Sequence, residues 1–155
     1  MPGSFLDTSA LVKRYHPEAG SAEVDRLWND PAQTLFVSRL SALEIVSAFA
    51  GKVRAGTISP VDFDSLRGRF FADVANTRPL TIRLLVGHFK EAERLLRQHG
   101  LSSRLRTLDA LQLAVALDSK ARAGASHFVC ADPELLPIAA SEGLLVVDPE
   151  HPSTL

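Results

Sequence analysis

The sequence predicts a three-layer α/β/α domain built on a central, largely parallel sheet. Short apolar, β-branched segments alternate with longer segments whose apolar residues recur at helical spacing, the pattern of strand–helix–strand crossovers. No internal repeat, low-complexity tract or linker interrupts that alternation, so residues 1–150 read as one domain and 151–155 as a polar tail. At 155 residues and 46% hydrophobic content, the chain suits a single core.

The elements follow in order. Ser4 to Leu6 reads as a short buried strand leading into a helix over Thr8 to Tyr15, which His16-Pro17-Glu18-Ala19-Gly20 breaks. Ser21 suits the N-cap of a helix over 22–29, with Val24, Leu27 and Trp28 on one face, and Asp30-Pro31 ends it. Thr34 to Val37 is β-branched and aromatic, hence a strand. Ser41 and Glu44 carry the S-x-x-E spacing of a capping box, followed by an apolar face of Leu43, Val46, Phe49, Ala50 and Val53, with Gly56 closing the helix. Ser59-Pro60 opens the next helix, which runs to about Asn76 with Phe63, Leu66, Phe70 and Val74 inward. Leu80 to Leu84 alternates like a half-exposed strand, and Phe89, Ala92, Leu95 and Leu96 mark a helix that ends at His99-Gly100. Thr107 to about Arg122 is the most apolar helix, ended by Gly124. A strand over His127 to Cys130, a helix over Pro133 to Ser141 and a strand over Leu144 to Val147 complete the pattern.

Composition narrows the chemistry. A net charge of −1 excludes a globally basic nucleic-acid binder but not local arginine clusters beside an acidic pocket. The single cysteine, Cys130, permits no internal disulfide and reads as a small buried hydrophobe. The five histidines lack metal-ligand spacing. Apolar runs are too short to span a membrane, no membrane partner is expected, and the start of the chain lacks the pattern of a signal peptide. The cytoplasm is the expected compartment.

Four acids stand out because their neighbours are apolar: Asp7, Glu44, Asp109 and Asp132. A carboxylate in such surroundings is costly unless a cation neutralises it. Four of them suggest one pocket for a hard divalent ion, and oxygen-only ligands favour Mg²⁺ or Mn²⁺ over zinc. Asp7 and Asp132 follow predicted strands, and in an open parallel sheet functional groups gather beyond the carboxyl ends of strands. Each acid also has a structural reading. Asp7 and Asp132 suit helix N-caps, and Glu44 suits the third position of the Ser41 capping box. Asp109 gains only ~0.3–1 kcal/mol from a helix dipole, which favours a ligand role over simple decoration, although a solvent-facing Asp109 is the alternative.

Phe5-Leu6-Asp7-Thr8-Ser9-Ala10-Leu11-Val12-Lys13 resembles the opening motif of PIN-domain proteins, particularly the VapC toxins of bacterial toxin–antitoxin pairs. Ser41-Ala42-Leu43-Glu44-Ile45, the run from Leu105 to Ala114 around Asp109, and Phe128-Val129-Cys130-Ala131-Asp132 resemble the family's second, third and fourth motifs in order and spacing. Two positions depart from the pattern: Gln112 stands where many relatives carry His, with little consequence expected, and Cys130 where Thr or Ser is common, which would weaken the fourth site.

The resemblance implies a PIN-like fold and a metal-dependent endoribonuclease that hydrolyses RNA with water activated by Mg²⁺ or Mn²⁺, leaving 5′-phosphate and 3′-hydroxyl ends. It implies Asp7, Glu44, Asp109 and Asp132 as catalytic and metal-binding residues, with Ser9 orienting an acid or a water. Lys13, Arg14, Arg104 and Arg106 are candidates for phosphate contacts. The implied partners are an RNA substrate and a cognate antitoxin, in a homodimer or a toxin–antitoxin hetero-oligomer. Surplus apolar residues between Ser41 and Asn76 suit a groove for a partner helix, a homodimer seam or core. The competing readings are a PIN-type nuclease of RNA processing or of DNA, and a catalytically inactive RNA-binding or interaction module.

Overall fold

A computed structural model describes residues 3–153. Five strands, β1 (Gly3–Leu6), β2 (Thr34–Ser38), β3 (Leu80–Ile82), β4 (His127–Val129) and β5 (Leu145–Val147), form one sheet in the order β3-β2-β1-β4-β5. All four pairings are parallel, with Ser4 opposite Leu35 on one side and His127 on the other. The helices are α1 (Thr8–Leu11), which continues as a 3-10 turn over Val12–Arg14, α2 (Ser21–Asn29), α3 (Ser41–Arg54), α4 (Pro60–Ala75), α5 (Val86–His99), α6 (Thr107–Ala123) and α7 (Leu135–Ser141). The tail positions 154 and 155 lie outside the described residues.

Both faces of the sheet are covered, which is why its strands read as continuous apolar runs. The two-residue side-chain period divides them between two cores. Phe5, Phe36 and Phe128 point into a core with α5, α6 and α7. Leu6, Leu35, Val37 and Val129 point the other way, against α1, α2, α3 and α4. Phe5 and Phe128 stack at 6.0 Å between ring centroids, joining neighbouring strands on one face. Gly124 ends α6 with φ of 71°, the left-handed conformation in which a side chain is strained.

The chain runs outward from β1 through β2 to β3, then returns to the opposite side of β1 with β4 and β5. β1 is therefore the point at which strand order reverses, and the crevice beyond its carboxyl end is open to helices from both halves.

Three local expectations fail. Ser21 is the first residue of α2 rather than its cap, the N-cap being Gly20 with no side-chain cap bond. Ser41 caps nothing: α3 starts with Leu40 at the N-cap and no side-chain cap bond, and the Ser41 hydroxyl is buried against Gln112 instead. Leu43 is 73% exposed, and α3 packs inward through Ile45 and Phe49. Ser59, by contrast, does cap α4, its hydroxyl accepting from the Asp62 backbone N–H at 3.1 Å.

Candidate active site

The four acids of the sequence reading line one cleft of about 500 Å³ with Thr8, Ser9 and Arg106. Asp7 leaves the end of β1, where its backbone N–H donates to the Val129 carbonyl at 2.9 Å. Asp132 follows β4, the strand beside it. Glu44 sits in the first turn of α3, and Asp109 in the first turn of α6.

Asp7 is buried and N-caps α1. Its Oδ2 accepts from the Ser9 backbone N–H at 3.1 Å and from the Ser9 hydroxyl at 2.6 Å. Ser9 in turn accepts from the Ala131 N–H at 3.0 Å, so one hydroxyl ties the β1–α1 turn to the segment that carries Asp132. The Cys130 thiol lies 3.7 Å from the same Asp7 oxygen. Burial pushes that thiol well above its usual range, and the Asp7 charge adds to the effect. Cys130 is thus a protonated, weak donor to Asp7 as well as the small core residue its neighbours suggest.

Glu44 is held by a network that the sequence reading missed. Gln112, fully buried on α6, aims its amide nitrogen at Thr8 Oγ1 (3.1 Å), Ser41 Oγ (3.0 Å) and Glu44 Oε1. Its amide oxygen accepts from Ser38 at 2.8 Å, and Thr8 also donates to Glu44 Oε1 at 3.0 Å. Gln112 therefore joins β2, α1, α3 and α6 behind the cleft, a larger part than the minor departure expected from the sequence. The available signal was a polar residue in the middle of the most apolar helix.

Burial raises the carboxyls of Asp7 and Glu44 above their ordinary values, and neighbouring acids add to the rise in both. In each, one oxygen is pinned by the bonds described, and both side chains line the cleft. Asp109 is turned back instead: its Oδ2 accepts from the Arg106 backbone N–H at 3.3 Å and from Arg106 Nε at 2.9 Å. Arg106 Nη2 also lies 3.6 Å from Asp132 Oδ2. Asp132 Oδ1 accepts from the Glu134 N–H at 2.9 Å, a local turn rather than a cap of α7, whose N-cap is Glu134.

These positions bear on a divalent ion. Among the described residues no three His, Cys, Asp or Glu side chains converge as they stand on a point that would hold one. The donor chemistry fits a hard cation nonetheless: the acids lining the cleft supply carboxylate oxygens only, and neither buried Asp7 nor half-buried Glu44 forms an ion pair among the described residues.

Two of the arginine and lysine expectations are corrected. Lys13 is buried, with Nζ 3.1 Å from Glu18 and 2.6 Å from Glu150, so it fastens the end of the domain. Arg14 pairs with Asp25 at 2.6 Å and lies over the Trp28 ring. Arg104 and Arg106 stay exposed near the cleft.

A separate apolar groove of about 750 Å³ runs between α3 and α4, lined by Leu40, Leu43, Val46 and Phe71 and edged by Arg39 and Arg67. Ser47 of α3 lines both this groove and the acidic cleft, so the two border the same stretch of that helix. No helix among the described residues is long and apolar enough to cross a membrane.

The family model of the PIN domain matches residues 4–135. No curated protein matches the chain. Among solved structures the fold is similar to that of Mycobacterium tuberculosis VapC20, described as a sarcin-ricin loop cleaving toxin, with a TM-score of 0.65 and 16% identity over 96% of this chain and 98% of that one. At that identity the likeness is one of fold.

Proposed function

The chain belongs to the PIN-domain family, and from that premise we propose that it is a metal-dependent endoribonuclease, the toxin of a toxin–antitoxin pair. The observation that carries the reading is the pair Asp7 and Glu44: each has one oxygen fixed by hydrogen bonds, and both line a cleft shared with Asp109 and Asp132. Such pre-orientation is of use to a ligand that must meet several oxygens at once. The fold likeness to an RNA-cleaving toxin supports RNA as substrate class.

Asp7, Glu44, Asp109 and Asp132 would hold Mg²⁺ or Mn²⁺. When bound, the ion lowers the pKa of water and offsets charge on a scissile phosphate. The chain's own residues do the rest. Ser9 fixes the Asp7 carboxylate and keeps it aligned with the β4 side of the cleft. Gln112 and Thr8 fix Glu44. Arg106, at the mouth, presents a planar fork suited to backbone phosphate, and Arg104 adds positive charge beside it.

The antitoxin would occupy the α3–α4 groove. That groove is apolar, edged by two arginines and flanked by the same helix that carries Glu44, which suits a helix with an acidic margin followed by an arm that reaches the cleft.

The test is cleavage of a mixed RNA pool by the purified protein with Mn²⁺ or Mg²⁺, alongside an EDTA control, with fragment ends sequenced. Cutting that needs the metal and leaves 5′-phosphate ends is the expected result. Cutting that survives EDTA would sink the metal-dependent reading.

A further inference from the structure

We infer that Arg106 is a resident cation of the cleft, and that a divalent ion completes its site only by displacing the Arg106 side chain from Asp109 and Asp132. The inference rests on the proposed metal site and concerns how that site is regulated.

The acids divide into two pairs. Asp7 and Glu44 are each held through one oxygen by uncharged groups, and neither is ion-paired among the described residues. Asp109 is held through both: Oδ2 is taken by Arg106 Nε and backbone N–H, and Oδ1 faces Nη2 at 3.4 Å. The same Nη2 reaches toward Asp132 across the cleft. One guanidinium thus spans the two acids that come from the later half of the chain. An ion and a guanidinium seek the same carboxylate oxygens, and two cations packed onto them would repel. The arrangement explains why the four acids share a cleft without converging on a point.

The block is built to be removable. The Arg106 side chain is 63% exposed and is held by the acids, so its release uncovers no core. Exposed ion pairs of this kind are weak. The backbone N–H of Arg106 still holds Asp109 after the side chain leaves, so the acid keeps its place in the first turn of α6. Arg104 provides an internal comparison. It is similarly exposed, lies two residues away, and meets Glu134 at 3.9 Å rather than any of the four acids.

The experiment is a calorimetric titration of Mn²⁺ into the wild type, R106A and R104A, with circular dichroism to establish that each is folded. R106A should bind Mn²⁺ about fivefold tighter than the wild type, the scale of an exposed ion pair released, and R104A within about twofold of it. Equal gains in the two variants would mean that net charge alone matters and would overturn the inference. An R106A affinity equal to or weaker than that of the wild type would overturn it too, and would leave the metal site standing. If neither the wild type nor R106A binds Mn²⁺, the metal-dependent function falls as well.

Discussion

Asp7→Asn should abolish RNA cleavage while making the protein more stable. The loss of activity should be about a thousandfold, the scale seen when one preorganised charge is removed from a transition-state site. The stabilisation follows from burial. The carboxylate is desolvated and stands near Asp109, so its ionised form is disfavoured in the folded state. Asn keeps an oxygen for the Ser9 N–H and hydroxyl and caps a helix about as well as Asp. We expect a gain of ~1 kcal/mol, or about 2–4 °C in Tm for a domain of this size. The pH dependence has a definite sign. A folded pKa above the unfolded value means that the penalty of the charge is complete above the folded pKa and vanishes below the unfolded one. The Tm gap between variant and wild type should therefore be widest at neutral pH and close on acidification. Differential scanning calorimetry across pH checks this, and a variant less stable than the wild type at neutral pH would refute it.

Gln112→Ala should have the largest cost in stability of any single change near the cleft. It removes the common partner of Ser38, Thr8, Ser41 and Glu44, all buried or partly buried, and leaves a cavity between α6 and the sheet. Stranded polar groups and the cavity together suggest ~3 kcal/mol, or a Tm lower by about 6–12 °C. Gln112→Met separates the two contributions, since it fills the space and restores no hydrogen bond. Mn²⁺ affinity should fall about tenfold or more in both, because Glu44 loses the group that orients it. A Gln112→Met variant with unchanged affinity would show that Thr8 alone suffices to hold Glu44.

Much of this site was legible because its signals are local. Asp7 and Asp132 stand just beyond runs that read as strands, and Glu44 and Asp109 interrupt runs that read as helix faces. The crevice they share follows from parallel order alone. What escaped the sequence is non-local. Ser41 and Glu44 have the spacing of a capping box, yet Gln112, 71 positions from Ser41, takes the hydroxyl that would have capped. Lys13 reads as a candidate phosphate contact until Glu150, 137 positions away, is seen to pair with it. Leu43 fits the apolar period of α3 but faces the groove rather than the core. In the first two cases a distant partner overrides a pattern that is locally sound.

The central place of β1 also sets a schedule. Its neighbour β4 begins at His127, and Asp109, Asp132 and the Ala131 N–H that steadies Ser9 all come from the last third of the chain. Domains emerge from the ribosome N-terminus first, so Asp7 is made early and waits unpartnered. On the proposed function, a ribosome translating this message would meet no complete acidic cleft until residue 132 has been made. Chains truncated before His127 should show no metal-dependent cutting in the RNA-pool assay, and activity in such a fragment would show that the cleft works without β4 and Asp132.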